Sequence, residues 1–542
     1  MVRRTVLFSL LAAFLATLLL ALTSLAWLAL LLILVPLALV AWRDVTQRRH
    51  AVLRNFPLIG HLRYLLEMIR PEIQQYFVES NVDAFPIERE SRALVYQRAK
   101  GELDTRPLGT QRDVYAVGYE WAAHSIAARA PLEQPPRVRI GGPACTRPYD
   151  ASLLNISAMS FGALSEAAIT ALNWGARKAG CWHNTGEGSI SDAHLSQGGD
   201  IVWQIGTGYF GCRTRDGDFD PERFREGAAL EAVRMVEIKL SQGAKPGHGG
   251  VLPGAKVTPL IARTRGVEVG QTVFSPPAHT AFSTPIELME FVARLRELSG
   301  GKPVGLKLCI GRRTDFFALC KAMRETGITP DFITVDGGEG GTGAAPLEFS
   351  NSVGMPARDA WIFVHNALVG CDLREQVKVV ASGRILTAFD MVRALAMGAD
   401  VCGAARGFMF SLGCIQSLRC NTNQCPTGIT TQDERLIYGL DVEDKRQRVA
   451  NFQTRTVHAA LELLGAMGLG APEELCPHHI FRRVDDLRVR HLGELYDYLE
   501  PGQLLDPARI PEGMQQEFAQ ARADAFTLVP ERGQHGEMLA AG

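Results

Sequence analysis

The chain has 542 residues, enough at roughly 100–200 residues per domain for several domains or for one large domain with appendages. Its 57 basic and 58 acidic side chains leave a net charge of −1, so no global field draws it to nucleic acid, and a hydrophobic content of 46% excludes a disordered chain. Eleven cysteines spread through so long a chain argue against a secreted disulfide framework and favour a reducing compartment.

The first predicted element is an apolar segment, residues 5–42, that carries no charge. As one helix it would be about 57 Å long, well beyond the roughly 30 Å of a bilayer core, so two spans over 5–22 and 25–42 fit better. Arginines precede and follow the segment, and this bias predicts that both ends face the cytoplasm. A signal peptide is the alternative, although its apolar core is normally about 7–15 residues. We expect residues 1–42 to form a transmembrane helical hairpin, in contact with lipid, that holds the rest of the chain at the cytoplasmic side of the cell membrane.

Three further regions follow the hairpin. Residues 43–137 are polar, with a helical stretch over 63–79 and no catalytic spacing, which predicts a linker and covering segment. Residues 138–432 alternate short apolar runs with helical patterns. Residues 433–542 are predicted to form a helical tail that begins with a helix over 434–467.

The alternating region carries eight strand-like runs, at residues 153–157, 180–184, 201–205, 236–240, 304–308, 332–335, 377–381 and 399–403. Helical patterns follow several of them, at 165–179, 285–298, 315–326 and 387–397. Eight strands with intervening helices predict a (β/α)8 TIM barrel, with a doubly wound open sheet as the alternative. Glycine clusters follow the strands at their carboxyl ends, where a barrel places its active site.

The loops after the last two strands suggest a phosphate site. Each ends its strand with small residues, free backbone N–H groups and an arginine, and a barrel binds phosphate at these positions. The candidate residues are Ser382, Gly383, Arg384, Gly403, Ala404 and Arg406. No strand–GxGxxG–helix unit appears in the right context, so a dinucleotide-binding fold is disfavoured.

Three cysteines stand close together at Cys414, Cys420 and Cys425, with a proline directly after the last. Zinc sites usually show C-x2-C pairs and four ligands, whereas three thiolates fit a three-iron cluster; three buried thiols remain the alternative. In the tail, Cys476 precedes His478 and His479. Adjacent histidines point apart on regular backbone, so we expect surface residues there.

Five ordered segments resemble the synthase domain of glutamate synthases: SAMSFGALS (157–165), NTGEG (184–188), GAKPGHGGVLPG (243–254), GGTG (340–343) and the cysteine loop from 413 to 432. The resemblance covers residues 143–432. It implies a barrel that binds FMN and a 3Fe–4S cluster and reduces the imine formed from 2-oxoglutarate and ammonia. It also implies an electron donor such as ferredoxin or a reductase subunit.

The same resemblance implies roles for single residues. The cluster ligands would be Cys414, Cys420 and Cys425. Lys307 would place a positive charge near N1/O2 of the flavin, which stabilises the anionic reduced form, with a salt bridge at the end of the barrel as the alternative. The remaining cofactor residues would be Ser157, Ala158, Met159 and Ser160 against the isoalloxazine ring, with Gln204 nearby. Gly337 and Gly338 would hold the ribityl phosphate together with the two loops named above.

For the substrate, the resemblance implies three charged residues. Arg265 would bind a carboxylate, because its guanidinium is planar and permanently charged, with pairing to Glu268 as the alternative. Lys245 would polarise the keto oxygen or the imine nitrogen. Glu187 would accept and return protons.

Two residues depart from the family pattern, which usually has Glu at His248 and Gln at Val251. Loss of the amide at Val251 would remove a contact to a dicarboxylate, so the substrate is open between 2-oxoglutarate, another 2-oxo acid, and an amine or amino acid that is oxidised. A non-catalytic FMN-binding redox module at the membrane is the further alternative. The chain begins Met-Val-Arg-Arg rather than with a cysteine nucleophile, so we expect free ammonia or a partner to supply nitrogen.

Overall fold

The computed structural model of the chain describes residues 2–526, which divide into a unit that ends at Arg89 and a unit that begins at Glu90. The covering segment predicted over 43–137 is therefore divided between the two units. The predicted tail runs to residue 542, and its part from 527 onward lies outside the described residues.

The first unit consists of helices, at Val2–Ala21, Leu31–Thr46, Ala51–Asn55 and Gly60–Ile73, with a 3₁₀ turn at Leu25–Leu30 and a π turn at Gln74–Val78. The break between the two apolar helices falls at the predicted position, where the Ser24 hydroxyl accepts a hydrogen bond from the Ala26 N–H at 3.4 Å. Two segments, Val2–Ala21 and Leu25–Thr46, are long and apolar enough to cross a membrane.

The second unit contains a closed barrel of eight parallel strands. We number them β1 Leu154–Ile156, β2 His183–Asn184, β3 Ile201–Ile205, β4 Val233–Lys239, β5 Val304–Leu308, β6 Phe332–Asp336, β7 Lys378–Ser382 and β8 Val401–Ala404. The last strand pairs with the first, with Cys402 opposite Leu154 and Ala404 opposite Ile156. This pairing closes the cylinder, so the predicted TIM barrel is confirmed and the open sheet is wrong.

Most predicted elements differ from the observed ones by one to three residues at their ends, and in two the structure shows the reason. The strand predicted over 180–184 begins only at His183, because Gly180 adopts a left-handed φ of 65° and ends the preceding helix, Glu166–Ala179. The helix predicted over 434–467 is two helices, Glu434–Ile437 and Val442–Ala466. The second starts afresh where the Asp441 side chain accepts a hydrogen bond from the Asp444 N–H at 2.9 Å.

The remaining helices of the second unit surround the barrel or precede and follow it: Arg89–Lys100, Asp192–Leu195, Pro221–Ala229, Pro259–Arg265, Pro285–Leu298, Arg313–Thr326, Leu347–Ser352, Ala357–Gly370, Ala388–Ala396, Arg406–Ser411, Leu492–Leu495 and Glu512–Gln520. Outside the barrel, an antiparallel sheet joins Glu120–Ala122, Ile480–Arg483 and Val489–His491. A hairpin pairs Val251–Leu252 with Val273–Phe274.

A second hairpin, Val138–Ile140 with Tyr149–Ala151, closes one end of the barrel. Its buried Ile140 and Ala151 belong to one apolar cluster with strand residues that include Met235 and Phe332. This hairpin packs against the starts of the strands, so the opposite end, where the strands finish, is the one at which a barrel places its active site.

Candidate active site

The carboxyl ends of β1, β5, β6, β7 and β8 surround a cleft of about 520 Å³, which we call the large cleft. Nine of the residues proposed from the sequence to bind the cofactor line it: Ser157, Ala158, Lys307, Ser382, Gly383, Arg384, Gly403, Ala404 and Arg406. The sequence therefore predicted residues that fold to one place, although they lie up to about 250 positions apart.

Local backbone geometry explains the small residues in this cleft. Gly383 has a φ of 136°, a conformation that side chains rarely allow, and a Cβ there would lie 2.8 Å from the Cβ of Ala357. Arg384 follows with a positive φ of 52°. The Arg406 guanidinium donates to the Gly340 carbonyl at 3.0 Å, which joins the loop after β8 to the glycine-rich loop after β6.

Gly337 and Gly338 do not line the large cleft, although the sequence suggested them for the phosphate. The Gly337 N–H donates to the Ser382 carbonyl at 3.1 Å, and the Gly338 N–H donates to the Met355 carbonyl at 2.8 Å. Both groups are thus already used within the protein. The neighbouring Glu339, which the sequence analysis missed, accepts from the Ala357 N–H at 3.0 Å at the start of helix Ala357–Gly370.

The segment after β1 is divided in the same way. Ser157 and Ala158 line the large cleft, whereas Met159 is buried and Ser160 follows it outside the lining. A Cβ on Gly186 would lie 2.6 Å from the Ser160 nitrogen, so the absence of a side chain at Gly186 lets these two segments pack closely.

Gln204 faces the barrel interior, where it belongs to a polar centre that the sequence analysis missed. The buried Glu237 carboxylate accepts from Gln204 Nε2 at 2.6 Å, Asn184 Nδ2 at 3.0 Å and Thr334 Oγ1 at 2.9 Å. Three donors satisfy a charge that would otherwise be costly to bury. The signal was present in β4, where strand alternation places Glu237 on the same face as Lys239.

Lys307 lines the large cleft as a buried cation and pairs with Asp336, with 3.4 Å between Nζ and Oδ2. Burial alone would lower the pKa of Lys307, but Asp336 and then Glu237 raise the pKa overall. The salt bridge weighed as an alternative is therefore present, and it keeps a fixed positive charge at the wall of the cleft.

A second cleft of about 290 Å³, the small cleft, adjoins the first, and Gln242 lines both. Its wall includes Glu187 and Lys239, whose Oε2 and Nζ lie 2.7 Å apart. Burial raises the pKa of Glu187, but the Lys239 ammonium, with smaller contributions from Arg265 and Lys245, lowers the pKa overall. Glu187 is therefore a carboxylate at neutral pH.

The two other proposed substrate residues lie behind this wall. Lys245 is buried, and burial together with the like charge of Lys239 lowers its pKa. Arg265 is also buried; its Nη2 donates to the Phe161 carbonyl at 2.7 Å and its guanidinium lies 5.0 Å from the Phe210 ring centre. Burial lowers the pKa of Arg265 to about 10, and the carboxylate that acts on it is Glu187 rather than Glu268.

The two departures from the family pattern differ in position. His248 lines the small cleft, where its Nδ1–H donates to the Gly249 carbonyl at 2.8 Å and its ring meets Phe349 edge-on. Val251 is 41% exposed, lies on a hairpin opposite Phe274, and lines neither cleft. The expectation that an apolar residue at 251 removes a substrate contact stays a prediction, with Val251 outside both linings and next to Gly250, which lines the small cleft.

The three loop cysteines lie near one another. Burial raises the pKa of Cys414 to about 12, and Cys420 and Cys425 add to that rise. Burial also raises the pKa of Cys425, but hydrogen bonds, led by the hydroxyls of Thr427 and Thr430, lower it overall. Within residues 2–526, no three His, Cys, Asp or Glu side chains are placed to hold a metal ion together.

A lysine that the sequence analysis missed supports this loop. The buried Lys256 ammonium donates to the carbonyls of Cys420 and Thr430, each at 2.7 Å, and of Ala163 at 3.2 Å. It thereby connects the cysteine loop to the segment that follows β1. In the tail, Cys476 Sγ lies 3.4 Å from His479 Nδ1, and His478 is exposed.

The second unit is thus a parallel (β/α)8 barrel with two adjoining clefts lined by charged residues at the carboxyl ends of its strands. The conserved region in glutamate synthase matches residues 147–470, and the chain belongs to the glutamate synthase family. It is an oxidoreductase of that type, which acts on CH–NH2 groups.

Two relatives with glutamate synthase names support this assignment, and one solved structure is similar to the chain without supporting it further. The chain is 37% identical over 508 residues to the glutamate synthase large subunit-like protein YerD of Bacillus subtilis, covering 86% of this chain and 96% of the relative. It is 36% identical over 321 residues to the archaeal glutamate synthase [NADPH] of Methanocaldococcus jannaschii, covering 59% of this chain and 60% of that protein. A solved mandelate oxidase mutant with a monooxide FMN adduct covers 80% of this chain and 99% of its own, at 15% identity and a TM-score of 0.39.

Proposed function

We propose that this protein is a membrane-tethered FMN and iron–sulfur oxidoreductase that reductively aminates 2-oxoglutarate, or a related 2-oxo acid, to the amino acid. The observation that carries the proposal is the pair of adjoining clefts that share Gln242. One cleft has the arginines and small residues that a flavin phosphate needs, and the other has the charges that a keto acid needs.

The residues of the large cleft fit FMN. Arg384 and Arg406, with the backbone of the loops after β7 and β8, would hold its phosphate, and Lys307 would face the flavin with its positive charge. When bound and in its reduced form, FMN would supply a hydride, which carries two electrons. Gly383 and Gly403 have no side chain and so leave room for the ligand.

The charges around the small cleft favour a dicarboxylate. Three cations, Lys239 in the wall and Lys245 and Arg265 behind it, act on the carboxylate Glu187, which leaves an excess of two positive charges in this group of four. A dicarboxylic 2-oxo acid carries two negative charges and would neutralise this excess. Because the site is largely buried, unbalanced charge there is costlier than it would be in water, so a ligand of matching charge is preferred.

Glu187 is placed to move protons at this site. Its carboxylate would accept a proton as ammonia adds to the keto carbon and would return one as water leaves to form the imine. Lys239, at 2.7 Å, keeps Glu187 ionised before the reaction. The chain's own contribution is therefore to bind the dicarboxylate, orient its keto carbon and manage the protons.

A 3Fe–4S cluster on Cys414, Cys420 and Cys425 is part of the proposal. Because the described residues do not bring the three thiols together as a metal site, the cluster rests on their spacing and on the family resemblance alone. Hydrogen bonds to sulfur suit thiolate ligands, and the Gln416 N–H donates to Cys414 Sγ at 3.4 Å. Such a cluster would accept single electrons from a ferredoxin-like donor or a reductase subunit. Iron and sulfide analysis with a low-temperature EPR spectrum of anaerobically purified protein tests it.

The two apolar N-terminal helices support attachment to the cell membrane with the catalytic body in the cytoplasm. Arginines at both ends of the pair favour this orientation. Membranes washed with alkaline carbonate test the proposal: retained full-length protein supports a membrane anchor. A product shortened at the N-terminus and found in the soluble fraction would instead support a signal sequence.

The reaction is tested with full-length protein that is loaded with FMN, reduced chemically without oxygen, and mixed with 2-oxoglutarate and ¹⁵N-ammonium. Formation of ¹⁵N-glutamate at the rate of flavin reoxidation supports the proposal. Flavin that is reoxidised only by oxygen or quinone would support a redox module, and anaerobic bleaching by another amino acid would identify a different substrate.

A further inference from the structure

An apolar stripe runs along the segment Gly60–Val78 in the first unit. Its members recur with the period of one helix face and are all between 36% and 84% exposed: Leu62, Leu65, Leu66, Ile69, Ile73 and Phe77. Arg63, Glu67 and Arg70 lie along one edge of the stripe, where they line a groove together with Leu66 and Ile73, and Arg63 and Glu67 pair at 2.8 Å. A contiguous exposed stripe of this size indicates a surface that another apolar phase covers.

Hydrogen bonds tie the start of this segment to the end of the second apolar helix, Leu31–Thr46. The buried Asp44 carboxylate accepts from the Leu58 N–H at 2.9 Å and pairs with His61 Nε2 at 2.8 Å. The Gln47 side chain strengthens the turn by donating to the His50 carbonyl at 2.7 Å. The amphipathic segment therefore begins where the apolar helix ends, at the depth of the membrane surface if that helix crosses the bilayer.

The charges beside the stripe suit lipid headgroups. Six arginines lie between the end of the apolar helix and the end of the amphipathic segment: Arg43, Arg48, Arg49, Arg54, Arg63 and Arg70. Long basic side chains can reach headgroups while their helix lies at the interface, and anionic lipids attract such a basic region. Trp42, 70% exposed at the end of the apolar helix, is the residue type that favours this depth.

We propose that Gly60–Val78 lies in the plane of a bilayer surface that contains anionic lipid, with its apolar stripe among the upper acyl chains. This inference rests on the proposed membrane attachment and adds a second, surface-bound element to it. The apolar helices would hold the protein in the membrane, and the amphipathic segment would bind along its surface.

The test uses full-length protein in vesicles of phosphatidylcholine and phosphatidylglycerol. An environment-sensitive fluorescent amino acid is placed singly at Ile69 in the stripe, at Glu67 as the matched control beside it, and at Leu11 near the middle of the first apolar helix. Quenching is measured with lipids that carry a doxyl group near the headgroup or deep in the acyl chain. We expect the probe at 69 to lose most of its emission to the shallow quencher, the probe at 11 to the deep quencher, and the probe at 67 to lose less than the probe at 69.

The outcomes separate the two proposals. A probe at 69 that stays unquenched while the probe at 11 is quenched would overturn the surface helix and leave the hairpin standing. A probe at 69 that is shielded from aqueous iodide yet unaffected by doxyl lipid would show a protein partner instead of lipid, which also overturns the proposal. If the probe at 11 is unquenched as well, the hairpin fails. Equal quenching at 67 and 69 would contradict a one-sided contact.

Discussion

Replacement of Glu187 by glutamine is the most informative change in the small cleft, because it removes a charge and keeps the shape. The carboxylate lies 2.7 Å from the Lys239 ammonium, and the two side chains are 18% and 10% exposed. Without it, Lys239 remains beside Lys245 and Arg265 with no opposing charge. Breaking a buried pair in this way costs about 3–5 kcal/mol, and we expect the lower end, about 3 kcal/mol, because the pair borders an open cleft.

Chemical denaturation of the ligand-free protein measures this loss, with Glu222→Gln as the matched control. Glu222 is 72% exposed and pairs with Arg225 on a helix surface, so its replacement should change the free energy of unfolding by less than about 1 kcal/mol. The Glu187 variant should also lose about 10²–10⁴-fold in turnover, the usual range for a group that transfers protons, while the control keeps its activity.

The stability that Glu187 contributes depends on pH. The pKa of Glu187 is lowered in the folded protein from 4.5, so its stabilising effect is present above that pH and is lost as the pH falls through the folded pKa. Wild type and Glu187→Gln should therefore converge in stability under acid conditions. A Glu187 variant that matches the Glu222 control in both stability and turnover would refute the reasoning.

Three further outcomes follow from the described contacts. Lys307→Met should lower the midpoint potential of bound flavin by on the order of 30 mV, or about 1.4 kcal/mol for two electrons, measured by spectroelectrochemistry. An unchanged potential would contradict a positive charge at the flavin. The double variant Lys307→Met with Asp336→Asn controls for the carboxylate that the single variant leaves unpaired. Burial lowers the pKa of His279 from 6.5 to about 4, so the unfolded state takes up a proton at a higher pH than the folded state does. The free energy of unfolding should therefore fall by up to about 3 kcal/mol as the pH drops from 7 to 4. His279→Gln should reduce this dependence on pH. Trp203→Ala should cost about 3–5 kcal/mol in thermal or chemical unfolding, because the buried indole stacks on Phe224 at 5.2 Å; a loss below 1 kcal/mol would contradict that packing.

The barrel could be predicted because its signal is local. Apolar runs that are buried on both faces, such as 201–205 and 304–308, match the observed strands to the residue. The errors arise where one residue overrides a pattern. Gly180 continues an extended pattern but takes a left-handed conformation, and Asp441 starts a new helix within a periodic stretch.

The site could be predicted in part for a similar reason. Motifs identify which loops follow which strands, and those loops meet in the large cleft. They do not show which groups are already satisfied, and so the N–H groups of Gly337 and Gly338, which bond to other carbonyls, were suggested for a phosphate. Nor do they show burial: Val251 is 41% exposed and lines neither cleft, whereas Glu237 and Lys239 are buried.

The claim on which the account depends is that the large cleft is a site for a flavin with a phosphate. Titration of flavin-free protein with FMN and with riboflavin, followed by flavin fluorescence, tests it most directly. The account predicts one FMN per chain and far weaker binding of riboflavin, with Arg406→Ala removing most of the difference, since Arg406 lines the cleft at the proposed phosphate position. Equal binding of the two flavins, or no binding of either, would contradict it.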